Sequence, residues 1–89
     1  MKMITDMDDF QRVCREALIT WYEVHPEQGA APKFNETYVV WSVKALKNFK
    51  CLVSTSLEDT IYAEYTYNGE NGSLYEDVYV KLTNTELRD

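Results

Sequence analysis

Apolar positions recur at three- and four-residue steps across the first quarter of the chain. Met7, Phe10, Val13, Cys14, Ala17, Leu18, Trp21 and Tyr22 fall on one stripe, the period of an amphipathic helix. Gln11, Arg12, Arg15, Glu16 and Glu23 fill the other face. Thr5 or Asp6 can cap the first turn, and Asp8 and Asp9 complement its positive end. The pattern stops before His25-Pro26, because proline disfavours helical geometry in its predecessor. The spacing predicts a helix from about residue 6 to residue 24. Residues 25–36 hold both prolines and read as a long loop.

Beyond the loop, β-branched and aromatic residues dominate. Three runs, Tyr38 to Ala45, Phe49 to Leu57 and Ile61 to Tyr67, predict three strands. Leu46-Lys47-Asn48 and Glu58-Asp59-Thr60 are short connections, so the strands form an antiparallel meander. A three-residue first turn pairs Ala45 with Phe49, Val43 with Cys51, Trp41 with Val53 and Val39 with Thr55. A like second turn pairs Leu57 with Ile61, Thr55 with Ala63 and Val53 with Tyr65. A one-residue slip would exchange the two faces. The expected buried face is Val39, Trp41, Val43, Phe49, Cys51, Val53, Ile61, Ala63 and Tyr65, under the helix. The opposite face carries Tyr38, Val40, Ser42, Lys44, Lys50, Leu52, Ser54, Tyr62, Glu64 and Thr66.

Asn68-Gly69-Glu70-Asn71-Gly72 is a turn cluster. Ser73 to Glu76 then fits a capping box, and Leu74, Tyr75, Val78, Tyr79 and Leu82 repeat at helical spacing. The expectation is a short C-terminal helix; Val78, Tyr79, Val80 and Thr83 keep a fourth strand as the alternative. The fold class is α+β: a helix packed on a three-stranded meander, then a short helix, in a single domain over residues 1–89.

Composition excludes several classes. At 45% hydrophobic and 13% aromatic residues the chain is too apolar for disorder. No run approaches the ~20 apolar residues of a membrane span. The N-terminus turns acidic at once and has no apolar core, so no secretory signal is expected and the location expected is cytoplasmic. Two cysteines are too few for a disulfide scaffold, and Cys14 and Cys51 both fall on apolar faces as buried thiols. The net charge is −6, and acids and bases balance through residue 50. The excess therefore lies in residues 51–89, where Glu58, Asp59, Glu64, Glu70, Glu76, Asp77, Glu86 and Asp89 face only Lys81 and Arg88. Such a surface repels phosphates and suits a basic partner.

No motif announces chemistry. His25 is the only histidine, on a loop before proline, and no Gly-x-Ser-x-Gly elbow exists. Cys14, Cys51 and His25 lack the Cys-x-x-Cys spacing of a zinc site. Asp6, Asp8 and Asp9 are explained by helix capping. Residues 68–77 lack the aspartate ladder of a calcium loop, and no Gly-rich phosphate loop is present. No catalytic residue, cofactor or metal is expected. Tyr38, Val40, Leu52 and Tyr62 would form an aromatic patch on the open sheet face. Together with Glu64, Glu58, Asp59, Glu70, Glu76 and Asp77 they are the candidate partner-binding residues.

The pieces Tyr38-Val-Val-Trp41, Lys44-Ala-Leu-Lys-Asn48, Leu52-Val-Ser-Thr55, Tyr65-Thr-Tyr-Asn-Gly69 and Asp77-Val-Tyr79 resemble a family of small uncharacterised proteins from Gram-positive bacteria and their prophages. The resemblance covers about half the chain and carries no catalytic residues across. It implies an accessory protein of a mobile element. The function expected is a non-enzymatic protein-binding module, in its sharpest form an acidic, anti-CRISPR-like inhibitor of a basic nucleic-acid enzyme. The alternative is a homodimeric structural protein joined through the sheet face. Neither membrane nor direct nucleic-acid binding is expected.

Overall fold

The computed structural model describes residues 4–59 and 61–87; Thr60, part of the expected second turn, lies outside them. The helix α1 runs Met7–Glu23. Asp6 is its N-cap, accepting from the Asp9 N–H at 2.8 Å. Arg12 bridges Asp9 at 2.5 Å and Glu16 at 2.6 Å on the exposed side, pairs that add little in water. The loop that follows folds into two short 3-10 turns, Pro26–Gln28 and Phe34–Glu36. Arg15 ties the second turn back to α1. Its guanidinium donates to the Phe34 and Thr37 carbonyls, both at 2.9 Å, and lies 3.9 Å from the Phe34 ring centre.

Four strands follow: β1 Thr37–Ala45, β2 Asn48–Thr55, β3 Ile61–Asn68 and β4 Ser73–Val80. They form one antiparallel meander in the order β1-β2-β3-β4. The helical stripe of Phe10, Cys14, Leu18 and Tyr22 is buried against Phe49, Cys51, Val53, Ile61, Ala63, Tyr65 and Tyr67. Phe10 packs on Phe49 and Tyr67, with ring centres 5.2 and 6.4 Å apart. Ile4 closes this end of the core, its N–H donating to the Tyr67 hydroxyl at 3.1 Å. Burial of each large side chain contributes about 1.5–3 kcal/mol. The shortest dimension of the chain is 20 Å, room for one helix layer on one sheet.

Three expectations are corrected. The first concerns β1. The turn Leu46-Lys47 has two residues and sets Ala45 opposite Asn48, which slips the register by one. A β-bulge between Val39 and Trp41 adds a second residue to the slip, so Val39 meets Val53 instead of Thr55 but keeps its expected face. Past the bulge the faces exchange. Trp41 and Val43 point away from the helix, while Ser42 and Lys44 point toward it. Ser42 accepts from the Gln11 amide at 2.8 Å, and the Lys44 ammonium lies 5.5 Å from the Phe49 ring centre. Val40 occupies the bulge and is exposed.

The second correction is a pairing shift. β2 ends at Thr55 rather than Leu57, so Val53 meets Ala63 and Cys51 meets Tyr65. The displacement from the expected register is two residues, so every side chain keeps its expected face.

The third concerns the C-terminal segment, which is the fourth strand rather than a helix. The free edge of β3 offers backbone partners along its whole length, and the strand period places Leu74 and Val78 on the core. A helix there would have left that edge bare. The Ser73–Glu76 capping box does not form; the Ser73 N–H donates instead to Asn71 Oδ1 at 3.0 Å.

The two turns at one end of the sheet interlock. The Gly69 N–H donates to Asn48 Oδ1 at 3.0 Å, and a Cβ at Gly69 would lie 2.0 Å from the Lys47 carbonyl oxygen. Backbone cannot yield as a flexible side chain can. Gly69→Ala is expected to cost about 2 kcal/mol and to lower Tm by roughly 10 °C. Differential scanning calorimetry reads this directly; an unchanged Tm would show that the turns are not in contact.

Candidate functional site

The helix-free face of the sheet can be followed in rows, because antiparallel partners stand opposite one another. One row runs Tyr38, Ser54, Tyr62, Tyr79. The next is Trp41, Leu52, Glu64, Asp77, and the third Val43, Lys50, Thr66, Tyr75. Tyr38, Trp41, Val43, Tyr75 and Tyr79 are 41% to 57% exposed, while Leu52 and Tyr62 between them are half-buried. Strand spacing and rise give this face about 500 Å² in projection, shared between these apolar side chains and Lys50, Ser54, Glu64, Thr66 and Asp77.

Its charge is sparse: Glu64 and Asp77 stand with Lys50 and Lys81. Lys50 Nζ lies 3.6 Å from a Glu64 carboxylate oxygen. Lys81, just past β4, holds its ammonium 6.0 Å from the Tyr62 ring centre. Among the described residues no ion pair reaches Asp77.

Of the residues expected here, Tyr38, Leu52, Tyr62 and Glu64 do share the helix-free face, and Val40 is displaced into the bulge. Trp41, Val43, Tyr75 and Tyr79 join it unexpectedly. The Tyr-x-Asp-x-Tyr alternation of residues 75–79 carried the signal for the last two. For Trp41 and Val43 the Trp-Ser-Val-Lys alternation pointed to the buried face, and nothing in the sequence marks the bulge that turns them outward.

The six expected carboxylates are not gathered. Glu58 lies between β2 and β3, and Glu70 lies in the turn at the opposite end of the sheet. Only Glu64 and Asp77 stand on the helix-free face. Asp59 accepts the hydroxyl of Tyr22 and the Ile61 N–H. Glu76 points to the helix side and accepts from the Tyr65 hydroxyl at 2.6 Å. The last two carboxylates therefore anchor core tyrosines.

The other candidates separate. His25 stacks on Trp21 with ring centres 4.4 Å apart, and its Nδ1 lies 2.7 Å from the Trp21 carbonyl. It is half-buried against the helix end rather than a free loop side chain. Cys14 and Cys51 are buried free thiols; their shared hydrogen bond, with burial, pushes the Cys14 thiol up. Among the described residues no group of three histidines, cysteines or acids could hold a metal. A cavity of about 340 Å³ lies at the turn end, lined by Ile4, Lys44, Leu46, Lys47, Phe49 and Gly69 among others.

A family model described as a family of unknown function (DUF6275) matches residues 11–89. No curated protein and no solved structure matches the chain.

Burial, reinforced by the hydrogen bond to a carboxylate, raises both Tyr22 and Tyr65 above the ordinary tyrosine value of 10.0. The folded state therefore keeps two protons that the unfolded chain releases near pH 10. Stability is fully present below that pH and falls as pH rises past it, by up to about 1.4 kcal/mol per pH unit for each tyrosine. Urea midpoints measured from pH 8 to pH 11.5 should show this fall. Tyr65→Phe should make it shallower, and an unchanged slope would exclude Tyr65 as a source.

Proposed function

The chain belongs to the family of unknown function DUF6275, and we propose that it is a non-enzymatic protein-binding module that works through the helix-free face of its sheet. The observation that carries this reading is the exposure of Tyr38, Trp41, Val43, Tyr75 and Tyr79 on one uncovered surface. Tyrosine and tryptophan offer large contact area at low entropy cost, and they dominate the centres of interfaces.

The occupant we infer is a basic protein surface. On the face Glu64 is shared with Lys50, Lys81 lies over Tyr62, and among the described residues no ion pair reaches Asp77, while the chain as a whole carries a net charge of −6. Nucleic acid fits poorly for the same reason. A second copy fits less well than a basic partner. A two-fold pair would enclose four carboxylates and, with Lys50 and Lys81 of each copy, four ammoniums, and taking eight charges out of water is costly. The setting we propose is a mobile-element accessory protein, and the sharpest form is an inhibitor of a basic nucleic-acid enzyme in the bacterial cytoplasm. The resemblance of the strand motifs to prophage proteins supports the setting. The dispersal of Glu58, Asp59, Glu70 and Glu76 favours recognition by the aromatic face over imitation of a phosphate track.

The test pairs capture with variants. A partner held at low salt should be lost at high salt. It should bind Trp41→Ser/Tyr79→Ser at least about 30-fold more weakly, the loss of two aromatic anchors. Arg12→Ala, on the helix side, should bind it unchanged. Equal binding by the face variant would overturn the proposal, as would a protein that sediments as a dimer until Tyr79→Ser releases monomers.

A further inference from the structure

We propose that the β3–β4 half of this face is a seat for an arginine side chain of the partner, with the guanidinium on the Asp77 carboxylate and flat against Tyr75 or Tyr79. The inference rests on the reading of the helix-free face as a protein-binding surface and supplies its chemistry.

The alternation of β4 puts Tyr75, Asp77 and Tyr79 on the same side, each about 6.6 Å from the next along the strand. Across the ladder, Glu64 stands opposite Asp77 and Tyr62 opposite Tyr79. Two adjacent carboxylates are thus flanked by three phenol rings. Glu64 is shared with Lys50, and among the described residues Asp77 has no cation. All three β4 side chains are exposed, and β4 is an edge strand, so approach is open. The chain already lays one of its own cations on this surface, Lys81 over Tyr62.

That combination selects arginine over lysine. Guanidinium is planar and weakly hydrated, so it can stack on a ring while bonding a carboxylate through two N–H groups. An ammonium keeps its water more tightly and bonds as a point. Among the described residues no arginine is free to fill the seat. The two arginines among the described residues lie on α1 and are engaged, Arg12 with Asp9 and Glu16, Arg15 with Phe34 and Thr37.

The test needs no partner. The ¹⁵N-labelled protein is titrated with N-acetyl-arginine amide, N-acetyl-lysine amide and N-acetyl-citrulline amide while its amide resonances are followed. Arginine amide should shift residues 75–79 saturably, with a millimolar Kd, lysine amide severalfold more weakly, and uncharged citrulline amide not at all. Asp77→Asn should weaken the arginine response about tenfold, the loss of one charge-assisted pair, whereas Glu58→Gln should leave it unchanged. Three results would overturn the seat: no shift at residues 75–79, equal responses to arginine and lysine, or shifts spread equally over Glu58, Glu70 and Asp77. A captured partner that depends on Trp41 and Tyr79 beside a failed titration overturns the seat alone. A clean titration beside a partner indifferent to the face overturns the protein-binding reading, and with it the partner's arginine as occupant, and leaves only a guanidinium site.

Discussion

One helix has to seal one side of a four-stranded sheet, and the rest of the molecule follows from that constraint. A helix is about 10 Å across, whereas four strands span about 19 Å. The stripe of Phe10, Cys14, Leu18 and Tyr22 lies nearest β1 and β2. The margins are filled by large side chains of the sheet itself, Phe49 and Tyr67 at one end and Tyr65 beside β4. With no second helix, nothing in the described chain can cover the other side. The aromatic residues there are what remains when a small domain has more strand than helix to cover it.

The same constraint explains the fate of the carboxylates. Filling a core margin with tyrosine brings hydroxyls to the edge of the apolar region, and each needs an acceptor. Asp59 serves Tyr22 and Glu76 serves Tyr65. The Tyr67 hydroxyl in turn accepts from the Ile4 N–H, which holds the segment before α1 against the sheet. Part of the acidic excess is thus structural. Counting charges along the chain merges these anchoring acids with Glu64 and Asp77, which share the helix-free face.

Much of the architecture was legible in the residues. The α1 stripe and its Asp6 cap dictate the helix, and the alternation in β2 and β3 dictates which side of each strand is buried. What stayed illegible has two physical sources. From Tyr38 to Trp41 apolar residues occupy both parities, so periodicity cannot place the bulge, and an inserted residue leaves no mark. In residues 73–82 the helical spacing of Leu74, Val78 and Leu82 competes with β-branched and aromatic content. The unpaired edge of β3 decides that contest, and it is a tertiary partner invisible to local pattern. The candidate surface was legible only on β2, β3 and the start of β1, so its Trp41 side and its Tyr75–Tyr79 side both had to come from three-dimensional pairing.

The bulge at Val40 has a consequence for reading relatives of this chain. It acts as a parity switch: one residue more or fewer between Tyr38 and Ala45 inverts which β1 side chains meet the helix and which meet the outside. Two family members could share an aligned tryptophan at the position of Trp41 and use it oppositely, one as core and one as contact. Column-by-column transfer of roles across this strand is therefore sound only between chains with the same residue count on both sides of the bulge.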